Sequence, residues 1–156
     1  MHIKFVDYDL TYCDLSWNWL NDDEIKKLTM TPEFTKENQN EWFYSIKHKD
    51  DYLIWGIEFD NKPIGALGIK NIDYINKSGE YFGYIGEKEY WGKCIGKIMM
   101  KYVIKKASEK EISKIYLKVE KFNERATKLY IKSGFQVFED DGECLNMIWQ
   151  EGVINV

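Results

Sequence analysis

The sequence predicts an α/β (α+β) chain: a mixed central sheet of about six to seven strands flanked by about four helices, in one domain over residues 1–156. Three features of the chain lead there. Residues 52–69 hold two runs of strand-forming residues on either side of Asp60-Asn61-Lys62, the turn chemistry of a hairpin. From Ile95 onward, apolar residues recur at Ile98, Met99, Tyr102, Val103 and Ala107, which is the spacing of one buried helical face. Beyond that helix the pattern returns to strand, short helix and a last hairpin. A chain of this length can remove roughly two-thirds of its extended surface from water, enough for one sizeable core.

Composition narrows the function classes. Hydrophobic residues make up 44% and charged residues 31%, the balance of a globular protein. A net charge of -4 argues against nucleic acid as the main partner, because affinity for a duplex comes largely from neutralised phosphates. No basic segment followed by an apolar run opens the chain, and no run approaches the ~20 apolar residues of a membrane span. The expectation is a cytoplasmic protein without a membrane partner. Cys13, Cys94 and Cys144 are odd in number and far apart, as suits reduced thiols. His2 and His48 have no soft ligand nearby in sequence, so no metal site is expected.

Taken in order, Ile3 to Tyr8 is rich in strand formers and closes at Asp9. Two cap-like helix starts follow, at Asp14 and at the trio Asp22-Asp23-Glu24. Two readings of that trio stand side by side: negative charge at a helix N-terminus, or a site for a cationic amine. Pro32 breaks the chain, and Thr35 followed by Asn38, Trp42, Phe43 and Ile46 reads as a further helix. The hairpin Tyr52–Phe59 and Pro63–Ile69 comes next, then a turn around Asn76 to Gly79 and a third strand, Glu80–Gly86. Glycines inside that strand, Gly83 and Gly86, mark a bulge or the close approach of a backbone or ligand. After the long helix, which ends near Glu109, come a strand over Lys114–Val119 and a helix over Glu124–Ser133 stopped by Gly134. The last hairpin pairs Phe135–Glu139 with Cys144–Gln150 across Asp140-Asp141-Gly142.

The run Tyr90-Trp91-Gly92-Lys93-Cys94-Ile95-Gly96-Lys97 feeds a glycine-containing turn into the long helix. The first N–H groups of a helix have no intrahelical acceptor, and with Lys93 and Lys97 beside them they form an anion cradle suited to phosphate. The alternative is a surface turn with two ordinary lysines. A P-loop is excluded, since Gly92 to Lys97 is one residue short and Ile98 stands where Ser or Thr would bind magnesium.

Strand, glycine turn, long helix, strand, and short helix ending in Gly-Phe resemble the GNAT superfamily of acyl-CoA-dependent N-acetyltransferases over nearly the whole chain. The run Asn123-Glu124-Arg125-Ala126-Thr127-Lys128-Leu129-Tyr130-Ile131-Lys132-Ser133-Gly134-Phe135 is similar to the family's Asn-x-x-Ala-x-x-Leu-Tyr-x-x-x-Gly-Phe without a gap. At the cradle Gly92 and Gly96 fit the family pattern, whereas Trp91 replaces its basic residue and Cys94 its first glycine; cysteine lacks glycine's freedom at positive φ. The resemblance implies a GNAT-like sheet and acetyl-CoA as cosubstrate, without a metal. It places coenzyme A on Tyr84, Ile85, Gly86, Trp91, Gly92, Lys93, Cys94, Ile95, Gly96, Lys97 and Asn123. Tyr130 would then be the general acid at the departing thiolate. Glu80 would take the amine proton, its other reading being a solvated strand glutamate. Trp17, Asp22 and Trp42 fall in the half that shapes the acceptor pocket in this family. Trp17-Asn18-Trp19-Leu20-Asn21-Asp22 looks like a stretch of acetyltransferases acting on amino-sugar nucleotides. The expected partner is a small-molecule amine, possible acceptors including a peptide N-terminus and a polyamine, with the enzyme a monomer or homodimer. A relative that binds acyl-CoA without turnover is the reading from another class.

Overall fold

A computed structural model describes residues 2–152. In chain order the elements are β1 (Ile3–Asp7), α1 (Leu10–Asn21), α2 (Asp23–Leu28), α3 (Lys36–Ile46), β2 (Leu53–Phe59), β3 (Lys62–Asp73) and β4 (Ser78–Ile85). A 3-10 turn over Lys88–Tyr90 precedes α4 (Ile95–Glu109), β5 (Lys114–Glu120), α5 (Glu124–Lys132), β6 (Gln136–Asp140) and β7 (Cys144–Gln150). One seven-stranded sheet runs in the order β1-β2-β3-β4-β5-β7-β6. The sheet is mixed: β4 and β5 are parallel, while β1 with β2, β5 with β7 and β6 with β7 are antiparallel. The parallel register runs from Ser78 opposite Lys114 to Glu80 opposite Tyr116 and ends there. Five α-helices among the described residues replace the expected four or so, because α1 and α2 are separately capped.

The internal contacts fall into two compact units, Met1–Gly68 with Gly83–Lys93 and Ile69–Phe82 with Cys94–Val156. In the first unit, local chemistry sets the helix starts. Asp9, two residues past β1, caps α1, its carboxylate accepting from the Tyr12 N–H, so the helix opens well before the expected Asp14. Asp22 caps α2 by accepting from the Glu24 and Ile25 N–H groups. Thr35 and Asn38 form a reciprocal capping box at α3, the helix expected from Thr35 onward. The core of this unit is aromatic and aliphatic: Tyr12, Trp19, Phe43, Ile57, Ile64 and Leu67 are all buried. Gly56 permits it, since a Cβ there would stand 2.3 Å from the Tyr12 ring.

In the second unit, α4 buries Ile95, Met99, Val103 and Ala107 as its periodicity requires, and Met100 in addition. Met100 follows Gly96 by four residues, on the same side of the helix, and a Cβ on Gly96 would stand 2.8 Å from Leu129 Cδ2 of α5. Close approach of α5 to α4 therefore widens the buried face. The α5 helix ends in a Schellman arrangement: the Phe135 N–H donates to the Tyr130 carbonyl, the Gly134 N–H donates to that of Ile131, and Gly134 has φ of 104°. Phe135, 1% exposed, anchors the stop in the core. All five residues of β6 are exposed, and its register shifts between Val137 and Glu139, a bulge on an edge strand.

Candidate functional site

The start of α4, in the second unit, has the properties of an anion cradle. Cys94 is the N-cap, with φ 61° and ψ 21°, and no side chain caps the helix. It has taken up the left-handed conformation that the family's glycine would adopt, at a cost of about 1 kcal/mol. The N–H groups of Ile95, Gly96 and Lys97 thus begin a 15-residue helix with neither intrahelical acceptors nor a capping side chain. Lys97 is exposed and joins no ion pair among the described residues. Gly96 has a packing role, leaving room for Leu129. Cys94 and Gly96 thus do different work in one motif.

Tyr130 stands on α5 with its ring 6.1 Å from that of Tyr81 and 5.9 Å from that of Phe135. Burial pushes its hydroxyl up to about 12, so it is a proton carrier at neutral pH. Asn123 caps α5 through Oδ1, which accepts from the Ala126 N–H and leaves the Nδ2 group as a donor. Glu80 is half-buried on β4: Asn71 Nδ2 donates to its Oε2 at 2.9 Å, and Lys70 Nζ lies 4.0 Å from the same oxygen.

In the first unit, the end of β4 and the turn after it are tied together. The Trp91 indole N–H donates to the Ile85 carbonyl at 2.9 Å, so this tryptophan holds the turn against the strand end. The Gly86 N–H donates to the Ile64 carbonyl at 2.7 Å, which removes Gly86 as a donor to a ligand. What approaches Gly86 is Trp19: a Cβ on Gly86 would stand 2.2 Å from that ring. The anticipated close contact at this glycine is an indole. Trp19 Nε1 in turn donates to Glu87. Tyr84 packs edge-on against Trp19, and burial drives its hydroxyl pKa strongly upward. Gly92 (φ 77°) and Lys93 are exposed, and Lys93 joins no ion pair among the described residues.

The three acceptor-side residues part company. Asp22 is occupied twice over, capping α2 and pairing with Lys88 Nζ at 2.9 Å; Lys88 also reaches Glu24 at 3.1 Å. The hydrogen bond from Lys88, with those from the helix N–H groups, holds the Asp22 carboxyl below its ordinary range. Of the two readings of the trio, helix capping is the work Asp22 does here, and Asp22 and Glu24 share the single charge of Lys88. Trp17 packs edge-on against Phe34 at 5.3 Å, under Lys36. Trp42 stands edge-on to Tyr8 and Tyr52, at 5.8 and 6.1 Å. Sequence reading passed over the buried polar pair beside them, Ser16 and Gln39. Ser16 Oγ accepts from Tyr8 OH and from Gln39 Nε2 and donates to the Cys13 carbonyl. Gln39 is 23 residues from Ser16, beyond any local pattern.

A sequence profile of the acetyltransferase (GNAT) family matches residues 16–135, a span that includes the cradle and Tyr130. The chain belongs to the GNAT acetyltransferase family. It is an N-acetyltransferase whose cosubstrate is acetyl-CoA. Among solved structures it is similar to the PaiA N-acetyltransferase of Thermoplasma acidophilum in complex with coenzyme A, at 25% identity and TM-score 0.73, over 96% of this chain and 99% of that one. The Campylobacter jejuni N-acetyltransferase PseH in complex with acetyl coenzyme A is 21% identical with TM-score 0.75, over 97% and 100%. The spermidine N-acetyltransferase of Vibrio cholerae, in complex with CoA and spermine, shares the fold at 20% identity and TM-score 0.85, over 96% and 95%. Within this GNAT chain, no described helix is long and apolar enough to cross a membrane. No group of three or more His, Cys, Asp or Glu among the described residues is placed to hold a metal.

Proposed function

We propose that this GNAT chain, acting as one domain over residues 1–156, moves an acetyl group directly from acetyl-CoA to the primary amine of a small molecule, an amino-sugar nucleotide. The observation that carries the catalytic part is Tyr130, protonated at neutral pH in its aromatic slot, in the same unit as the uncapped start of α4. The cosubstrate supplies an activated acetyl group and a thiolate leaving group. Backbone N–H groups of Ile95, Gly96 and Lys97, with Lys93 and Lys97, bind the pyrophosphate. Tyr84 and Ile85 of β4 direct backbone groups to the thioester and pantetheine, and Asn123 offers Nδ2 to the arm. Trp91 and Gly86 contribute by shaping the turn, and Gly92 and Cys94 by their left-handed backbones.

The amine nitrogen forms the new C–N bond as the C–S bond breaks, and its proton passes to Glu80, directly or through water. Tyr130 donates a hydrogen bond to the departing sulfur. With a phenol near 12 and a thiol near ~8.5, full transfer is uphill by roughly 5 kcal/mol. Tyr130 accordingly stabilises the thiolate in place, and solvent completes its protonation. Cys94 is exposed at the cradle and forms no covalent intermediate.

The amino-sugar assignment is supported by the Trp17 to Asp22 stretch and by the commitment of Asp22 and Glu24 to Lys88. Three free cysteines without a disulfide suit the cytoplasm, and the enzyme acts as a monomer or homodimer. Thiol release from acetyl-CoA, measured with an amino-sugar nucleotide, spermidine and a peptide N-terminus as acceptors, tests the assignment. Release with the amino-sugar nucleotide alone is expected. Turnover on spermidine only would overturn the acceptor, and acetyl-CoA binding without turnover on any amine would overturn the enzyme.

A further inference from the structure

One depression lies wholly within the first unit, a cavity of about 230 Å³ whose walls include Tyr8, Phe43, Ile46, Tyr52 and Trp55. Its single charged lining residue is Lys47, and no carboxylate lines it. Lys47 Nζ stands 4.6 Å from the Phe43 ring centroid and 5.4 Å from that of Tyr44, and joins no ion pair among the described residues. A cation over aromatic faces at the rim of an aromatic pocket complements a flat ring carrying an anionic group, and it repels a polyamine. The volume is below that of pockets enclosing a whole drug-sized ligand, so it suits one part of a larger molecule.

The pocket wall is tied to the end of β4 within the first unit. Tyr8, on its wall, donates to Ser16 Oγ at 3.1 Å, and the Tyr84 hydroxyl of β4 is hydrogen-bonded to the same serine. Gln39 on α3 completes the buried hub. Trp42 hydrogen-bonds Tyr52 of the pocket wall and stands edge-on to its ring.

We propose that this pocket holds the nucleoside diphosphate end of the acceptor, the base against Tyr8, Phe43 and Tyr52 and a phosphate on Lys47. The assignment rests on the amino-sugar nucleotide reading above. It makes Lys47 a specificity-determining residue: it selects the remote anionic end of the acceptor and takes no part in acetyl transfer.

Equilibrium binding of UDP and of coenzyme A to the full chain, by titration calorimetry, tests it with Lys47→Glu and Lys47→Arg. UDP should bind the parent protein and Lys47→Arg alike, and about tenfold or more weakly to Lys47→Glu, with coenzyme A affinity the same in all three. UDP binding that ignores Lys47→Glu, or no UDP binding by the parent protein, overturns the pocket. Thiol release with amines separates the two readings. Turnover with an unmoved UDP affinity removes the pocket and leaves the acetyltransferase; a Lys47-dependent UDP affinity without turnover does the reverse.

Discussion

In the proposed reading, the two compact units contribute different kinds of group. In the second, the uncapped start of α4 and the left-handed Cys94 present backbone groups, and one phenol, Tyr130, adds the only side-chain chemistry assigned at the leaving group. In the first, the proposed acceptor pocket is built of side chains, Tyr8, Phe43 and Tyr52 among them, beside the strand-end backbone at Tyr84 and Ile85 assigned to the cosubstrate. Backbone presentation tolerates substitution as long as φ and ψ survive, which is how Cys94 can stand for glycine. Side-chain recognition has no such tolerance, because each ring's size and polar tip define the surface. The contrast fits an enzyme that meets one invariant cosubstrate and one particular acceptor.

That contrast can be broken most directly at Tyr130. Tyr130→Phe should lower kcat about a hundredfold while leaving acetyl-CoA affinity unchanged, as single-turnover kinetics and calorimetry would show. An unaltered kcat would remove Tyr130 as the group acting on the departing sulfur. The same variant reports the phenol's ionisation. Because the folded hydroxyl titrates near 12 against an ordinary value of 10.0, its stabilising effect is complete below about pH 10 and is lost as pH rises through 12. Ultraviolet difference absorbance between parent and variant should therefore show no phenolate from this residue below pH 10.

Next in size is Gly86→Ala in the first unit. Its Cβ would meet the buried Trp19 ring, so a loss of about 2–3 kcal/mol and a melting temperature lower by several degrees are expected. Cys94→Gly works the other way: relief of the left-handed cost should raise stability by up to about 1 kcal/mol in denaturant unfolding, with coenzyme A affinity unchanged or tighter. A drop in that affinity would show that the cysteine side chain, and not its backbone, makes the cradle. Smallest is Gly96→Ala. The gain of roughly 1 kcal/mol in helix propensity is offset by a contact with the flexible end of Leu129, for a net change within about 0.5 kcal/mol.

Local signals were legible where one stretch of chain supplies both partners. The helix read from Thr35 onward is there, and Thr35 and Asn38, three residues apart, close its capping box. The spacing from Tyr130 to Gly134 and Phe135 matches a resemblance, and the structure supplies its physical reason: Phe135 donates to the Tyr130 carbonyl, so the helix stop and the slot for the phenol are one construction. Asp14 misled because it has the chemistry of a cap, while Asp9, five residues earlier and read as a strand end, does the capping. Gly86 was noticed for the right property with the wrong neighbour, since Trp19 is sixty-seven residues away.

By itself the sequence determined the order and type of the elements, the family motif from Asn123 to Phe135, and the lysines and glycines of the cradle. These depend on periodicity, caps and turn conformations within a few residues, where the chain's covalent geometry limits the choices. Tertiary structure alone decided that Lys88 pairs with both Asp22 and Glu24, that Trp91 holds the Ile85 carbonyl, and that Ser16 gathers Tyr8, Gln39 and Tyr84. In each case the partners lie on separate elements. Whether a charge or hydroxyl is free for a ligand or already satisfied depends on what folding brings beside it.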